Sequence, residues 1–129
     1  MDIKTLRQRY KQQKAWGLLA SIDLAGCDHE LIQSPKDIKI FVKELIEILK
    51  MQAHGSTRVE KFAEGSLEGY SAFQFIETSS ITIHFDDKFG DRGFIDIFSC
   101  CFFNPNAAET FAKKFFKAKK SRSKILLRY

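Results

Sequence analysis

This sequence of 129 residues lacks the features that mark disulfide-rich, zinc-binding or membrane-spanning proteins. It has 3 cysteines and no Cys-x-x-Cys pair, so neither a disulfide framework nor a zinc site is predicted. No apolar run reaches the roughly 18 residues of a spanning helix, and the first residues, MDIKTLRQRYKQQKAW, lack the apolar core of a secretory signal. We therefore expect a soluble, cytoplasmic protein that has no membrane partner.

Charge narrows the possible partners further. The net charge is +5, and residues 113–124 alone hold seven Lys or Arg side chains. Such a basic segment raises nucleic acid as a partner. However, Phe115 and Phe116 fall on the predicted buried face of a helix rather than between the charges, so no base-stacking platform is predicted. We expect a solvated basic surface and no nucleic-acid partner.

The sequence has only 2 prolines, and each follows a residue typical of a helix start. Ser34-Pro35 and Asn104-Pro105 predict helices that end near residues 51 and 119. Residues 1–15 form a basic N-terminal arm that is either a short polar helix or loose, and residues 16–129 form a single domain. Segments with alternating or β-rich composition predict strands over residues 17–24, 58–63, 70–77, 80–85, 94–102 and 124–128.

The order of these elements predicts the fold class. Consecutive hairpin strands beside only two helices are typical of an antiparallel sheet that is covered on one face. We therefore predict an α+β fold, a two-layer sandwich in which two helices pack on one face of an antiparallel β-sheet.

Four polar residues lie on three consecutive predicted strands or, for Ser79, directly before one: Ser71, Ser79, His84 and Cys100. Ser71 lies eight residues before Ser79, which opens the stretch Ser-Ser-Ile-Thr-Ile-His, and Cys100 ends the stretch Ile-Asp-Ile-Phe-Ser-Cys. This order and spacing resemble the proenzymes of the prokaryotic S-adenosylmethionine decarboxylase family, where the same pattern surrounds a self-cleavage site. The resemblance extends over residues 16–129 and includes the early stretch Ala-Ser-Ile-Asp-Leu-Ala-Gly-Cys-Asp.

The resemblance implies an S-adenosylmethionine decarboxylase-like fold and a pyruvoyl-dependent decarboxylase of S-adenosylmethionine in polyamine (spermidine) biosynthesis. The zymogen would cut itself between Thr78 and Ser79 and leave a pyruvoyl group, derived from Ser79, that forms a Schiff base with the substrate. Small members of the family are dimers with the site near the interface, so a homodimer is expected. Neither a metal nor pyridoxal phosphate is expected.

The resemblance also implies a role for each residue. Ser79 would be the pyruvoyl precursor, His84 the base in processing, and Ser71 a hydrogen-bond donor to the oxyanion. Cys100 would be the acid that reprotonates the substrate carbon after loss of CO2, because a thiol exchanges protons near neutral pH. Phe62 is the candidate to stack on the adenine ring and on the sulfonium.

The sequence departs from the family's pattern around Ser79. Thr78 stands where the family has Glu, and Ser80 stands where it has His. Because Ser79 and Ser80 are adjacent serines, cleavage before Ser79 and cleavage before Ser80 both stay open. The family's Trp-Pro-Glu is replaced by Phe-Asp-Asp-Lys, in which Asp86 or Asp87 would take over substrate binding. Two alternatives follow: a pyruvoyl decarboxylase with a changed amino-acid substrate, and an unprocessed homologue that acts as a binding or regulatory module.

Overall fold

The computed structural model describes residues 2–129, which form three α-helices, six β-strands and two short 3-10 turns. All neighbouring strands are antiparallel, in the spatial order β2-β3-β4-β5-β1-β6. The predicted α+β two-layer sandwich is confirmed, and within residues 2–129 no helix is long and apolar enough to cross a membrane. The bounds are α1 Ile3–Gln12, β1 Gly17–Ala25, α2 Pro35–Ile48, β2 Ala53–Phe62, β3 Gly69–Ile76, β4 Ser79–Asp86, β5 Arg92–Ser99, α3 Pro105–Phe115 and β6 Lys120–Arg128.

Helices α2 and α3 begin where the two prolines predict. The Ser34 hydroxyl accepts a hydrogen bond from the Asp37 N–H at 3.2 Å, and the Asn104 side chain accepts from two backbone N–H groups of the first turn of α3 at 3.0 and 3.1 Å. Helix α3 ends at Phe115, short of the predicted residue 119, because Lys117 adopts a left-handed backbone conformation with φ of 53°. The chain then turns directly into β6.

The sheet has one face covered by helices and one face without them, and β4 shows this alternation. Ile81, Ile83 and Phe85 are buried, whereas Thr82 and His84 point to the opposite side. Helix α2 contacts β2 and β3, and helix α3 contacts β1 and β6, so together they cover the first side. We call the side of the sheet that carries Thr82 and His84 the open face.

An aromatic cluster joins the two helices to the covered face. Phe41 of α2 is fully buried, and its ring centroid lies 5.4, 5.3 and 4.6 Å from those of Phe111, Phe115 and Phe116. The ring of Phe116 contacts Phe85 of β4 with centroids 5.0 Å apart. Because buried rings contribute much of a core's stability, this cluster fixes both helices against the strand that carries Ser79 and His84.

Strand β5 is shorter than the sequence predicts. It ends at Ser99 rather than at residue 102 because the next two backbone N–H groups leave the sheet ladder. The Cys100 N–H donates to the Thr78 carbonyl at 2.9 Å, and the Cys101 N–H donates to the Ser99 hydroxyl at 3.0 Å. Cys100 and Cys101 therefore lie just beyond the end of the strand.

The N-terminal segment forms a helix rather than a loose arm. The Asp2 carboxylate caps α1 by accepting the Thr5 N–H at 2.8 Å, and Leu6 is buried in the core. After the helix, the Trp16 N–H donates to the Arg128 carbonyl at 2.7 Å, which ties the segment to β6. The division of the chain into an arm and a domain stays a prediction.

Replacing Phe41 by Ala should lower the free energy of unfolding by about 3–5 kcal/mol, because a buried ring leaves a cavity among its aromatic neighbours. Urea denaturation followed by circular dichroism measures this loss. Phe89→Ala is the matched control: Phe89 is 62% exposed, so its removal should change stability by less than about 0.5 kcal/mol. Equal losses in the two variants would contradict the packing described above.

Candidate functional site

Ser71 and His84 meet on the open face. They are cross-strand partners in the register of β3 and β4, and Ser71 Oγ lies 2.8 Å from His84 Nδ1. The hydroxyl donates this hydrogen bond when Nδ1 carries no proton and accepts it when Nδ1 is protonated. The pair can therefore take up and return a proton, as a general base requires.

A small cleft surrounds this pair. It has a volume of about 170 Å³, and Arg58, Glu60 and Phe62 line it together with Ser71 and His84. Arg58 and Glu60 form an ion pair with 2.5 Å between Nε and Oε2, and Glu60 is the cross-strand partner of Ser71. The cleft thus combines an exposed aromatic ring, a carboxylate and a guanidinium beside the imidazole, a set that suits an aromatic ligand bearing charged groups.

Sequence reasoning singled out Phe62 but missed Arg58 and Glu60. All three lie on β2, and alternate residues of a strand share a face. The signal was therefore present in the sequence, as two charged residues spaced by two from the candidate ring.

The Thr78–Ser79 peptide bond lies at the other end of β4, in a tight hairpin. Ile76 and Ser79 are the last cross-strand partners of β3 and β4, so a two-residue turn connects the strands. The Thr78 carbonyl accepts the Cys100 N–H at 2.9 Å, and the Thr78 hydroxyl accepts a hydrogen bond from Ser99 Oγ at 2.9 Å. The carbonyl that Ser79 would attack is therefore already held by a hydrogen-bond donor.

The two candidate cleavage positions differ in their surroundings. Ser79 opposes the buried Ser99 and lies at the start of the strand, directly after the turn. Ser80 lies one residue further into the ladder, between Phe75 and Phe98 on the open face. The bond before Ser79 thus joins the turn to the strand, whereas the bond before Ser80 lies within paired strand.

The four residues that carry the sequence resemblance do not form one cluster within a chain. Ser79 and His84 are five residues apart on β4, a separation of roughly 17 Å along an extended strand. An odd spacing also directs their side chains to opposite faces. The structure therefore brings Ser71 to His84 at one end of β4, and brings the Thr78–Ser79 bond to Cys100 at the other end.

The two cysteines after β5 differ in exposure. Cys100 is half-buried and Cys101 is exposed, and both are free thiols. Although the residue as a whole is exposed, partial desolvation raises the pKa of the Cys101 thiol, and the adjacent Cys100 raises it further. Cys101 is therefore held in its protonated form at neutral pH.

Asp86 is the last residue of β4, and Asp87 begins the turn that follows, next to the Ser71–His84 end of the strand. The Asp86 carboxylate accepts from Arg92 Nη2 at 2.7 Å and from the backbone N–H groups of Lys88 and Phe89. Burial raises the pKa of Asp86, but these hydrogen bonds outweigh burial and hold the pKa below its usual value. Asp87 is nearly buried and lies 3.0 Å from Lys88 Nζ. The Asp86 carboxylate is thus already engaged in holding the turn.

Comparisons with known proteins agree with the resemblance found in the sequence. The family model described as S-adenosylmethionine decarboxylase matches residues 18–129. The crystal structure of the adenosylmethionine decarboxylase from Aquifex aeolicus VF5 matches with a TM-score of 0.73 and 18% sequence identity, over 88% of this chain and 91% of that chain. No curated protein matches the sequence. The Aquifex structure is similar in fold, and helix α1 precedes the residues that the family model matches.

Replacing Asp86 by Asn should destabilise the protein by about 1 kcal/mol near pH 7, a modest loss because Arg92 is half-exposed. The pKa of Asp86 is lower in the folded protein than in the unfolded chain. The carboxylate therefore stabilises the fold at pH values above its unfolded-state pKa, and this stabilisation is lost as the pH falls through its folded-state pKa. The difference in stability between wild type and variant, measured by urea denaturation, should therefore shrink as the pH is lowered and vanish once Asp86 is protonated in the folded protein. Glu64→Gln, in an exposed loop, is the control. A pH-independent difference would show that the carboxylate's charge plays no part.

Proposed function

The chain belongs to the S-adenosylmethionine decarboxylase family, and from this premise we propose that it is a self-cleaving, pyruvoyl-dependent decarboxylase of S-adenosylmethionine that serves spermidine biosynthesis. A single observation carries the proposal: the Cys100 N–H donates to the carbonyl of Thr78, the residue directly before Ser79. A hydrogen-bond donor at that carbonyl is what an attack by the next residue's hydroxyl requires. A cytoplasmic location stays a prediction from the sequence.

The residues around the Thr78–Ser79 bond fit the formation of a pyruvoyl group. Ser79 Oγ adds to the Thr78 carbonyl carbon, the Cys100 N–H stabilises the negative oxygen, and cleavage of the C–N bond converts the peptide into an ester. A base then removes the Ser79 Cα proton, and residue 78 leaves as a carboxylate. Water converts the remaining dehydroalanine into the pyruvoyl group with release of ammonia, so the atoms balance.

The pyruvoyl group supplies an electron-accepting carbonyl for decarboxylation, and the chain's own residues supply the rest. Phe62 provides a face for the adenine ring and the sulfonium, beside Ser71 and His84 in the same cleft. Cys100 returns a proton to the substrate carbon after CO2 leaves. Asp86 and Asp87 stay the candidates for a substrate-binding acid, and each carboxylate already has a basic partner, Arg92 for Asp86 and Lys88 for Asp87.

A homodimer is part of this proposal because one chain separates the two halves of the site. The open face exposes large apolar side chains, among them Phe62, Phe75 and Leu126, which are 56%, 56% and 55% exposed. An exposed apolar sheet face of this kind is typical of an interface. In the dimer we propose, the two-fold axis lies between the two open faces and crosses β4 at a right angle, so that the Ser71–His84 end of one chain meets the Thr78–Ser79 end of its partner and the contact is repeated at the second site.

A changed amino-acid substrate is the second candidate, favoured by the engagement of Asp86 with Arg92. The processed protein separates the two readings, because release of CO2 from S-adenosylmethionine supports the first and release from ornithine or arginine supports the second. An unprocessed binding module is the third reading. It would retain nucleoside binding in calorimetry while the chain stays intact.

Self-cleavage is the first prediction of the proposal. On incubation, the purified protein should separate on a denaturing gel into fragments of residues 1–78 and 79–129, with release of ammonia. Ser79→Ala should abolish the cleavage, whereas Ser80→Ala, the matched control, should leave the same two fragments. An intact 14.9 kDa chain after long incubation would exclude the proposed function, and fragments that start at residue 80 would move the cleavage site.

Complementation between two inactive variants tests the shared site. Ser79→Ala and His84→Ala chains, distinguishable by mass, should each stay intact alone, because each lacks one half of the machinery. When they are co-expressed, the His84→Ala chain should be cleaved, since its Ser79 meets the His84 of a partner chain. The Ser79→Ala chain should remain whole. A mixture in which neither chain is cleaved would place both halves within a single chain and rule out the two-fold arrangement.

A further inference from the structure

The helix that precedes the family match contacts the segment that carries Cys100. Tyr10 of α1 lies with its hydroxyl 3.3 Å from the Cys100 carbonyl and 3.3 Å from the Trp16 carbonyl. Its ring packs edge-on against Phe102, with centroids 5.5 Å apart, and the Arg7 guanidinium lies 4.4 Å from the centre of the same Phe102 ring. One face of α1 therefore packs on residues 100–102.

Cys100 is consequently held on both sides of its Cα atom. Its N–H donates to the Thr78 carbonyl at 2.9 Å, and its carbonyl shares the single Tyr10 O–H with the Trp16 carbonyl, each oxygen lying 3.3 Å from the hydroxyl. Burial raises the pKa of Tyr10, and the Cys101 and Cys100 thiols raise it further, so the phenol keeps the proton that it donates. Because β5 has already ended at Ser99, the sheet ladder does not hold this carbonyl.

We propose that Tyr10 is a positioning residue. By holding α1 against residues 100–102, it keeps the Cys100 N–H in hydrogen-bond distance of the Thr78 carbonyl and fixes the orientation of the Cys100 thiol. Tyr10 touches neither the Thr78–Ser79 bond nor a substrate, and it acts through Cys100. This inference rests on the proposed function for its effect on cleavage. Its effect on Cys100 itself does not depend on any cleavage.

Tyr10→Phe tests this positioning role because it removes the hydroxyl and keeps the ring packed on Phe102. Tyr129→Phe is the matched control, since the Tyr129 hydroxyl bonds to the side chain of Gln13 and so anchors the same N-terminal segment without touching Cys100. Two quantities are measured on the full chain: the rate of self-cleavage, and the rate at which iodoacetamide alkylates Cys100, separated from Cys101 by peptide fragmentation in the mass spectrometer.

Tyr10→Phe should slow self-cleavage roughly two- to tenfold, the range for loss of one hydrogen bond. It should also change the alkylation rate of Cys100 at least about twofold while Cys101 keeps its rate. Tyr129→Phe should match the wild type in both quantities. An unchanged rate of Cys100 alkylation in Tyr10→Phe, or equal changes in the two variants, would show that the Tyr10 hydroxyl does not position Cys100. If the wild type itself is never cleaved, the proposed function fails, and the alkylation rates alone still decide whether Tyr10 positions Cys100.

Discussion

The register of β4 between its two neighbours is the constraint on which the site depends. Because Ser71 opposes His84, the register of β3 and β4 forms the hydroxyl–imidazole pair, and the same register closes the hairpin at Ile76 and Ser79. On the other side, pairing with β5 puts Ser99 opposite Ser79 and delivers the Cys100 N–H to the hairpin carbonyl. A one-residue slip of β4 would turn its own side chains, including Ser79 and His84, to the other face and would break these pairings. The burial of Ile81, Ile83 and Phe85 under the helices prevents that slip.

A backbone hydrogen bond also explains how the hairpin accommodates Thr78 in place of the family's Glu before Ser79. The donor to the Thr78 carbonyl is the Cys100 N–H, which does not depend on the side chain at position 78. Thr adds its own contact, because its hydroxyl accepts from Ser99 Oγ. The geometry around the carbonyl therefore rests on the end of β5, and a change of side chain in the turn alters it little.

Much of this fold could be predicted from the sequence, because periodicity and helix starts are local signals. The alternation around Ile81 and Ile83 predicted β4, and the two proline-containing starts predicted α2 and α3. The end of β5 could not be predicted, since it depends on a hydrogen bond from Cys100 to a residue more than twenty positions earlier in the chain. The docking of α1 depends on Tyr10 meeting residues 100–102, a contact that no local pattern encodes. The site residues were found by spacing along the chain. Spacing does not show that Ser71 lies opposite His84 or that the Cys100 N–H reaches the Thr78 carbonyl, because both contacts depend on the register between strands.

The strand order has a consequence for what a break after Thr78 would do to the molecule. The first piece would contain β1, β2 and β3, and the second would contain β4, β5 and β6. Yet β1 lies between β5 and β6, so one strand of the first piece is inserted between two strands of the second. Three ladders, between β3 and β4, β1 and β5, and β1 and β6, would hold the pieces together without a peptide bond. The two pieces are interlocked, and only unfolding the sheet would let either one diffuse away.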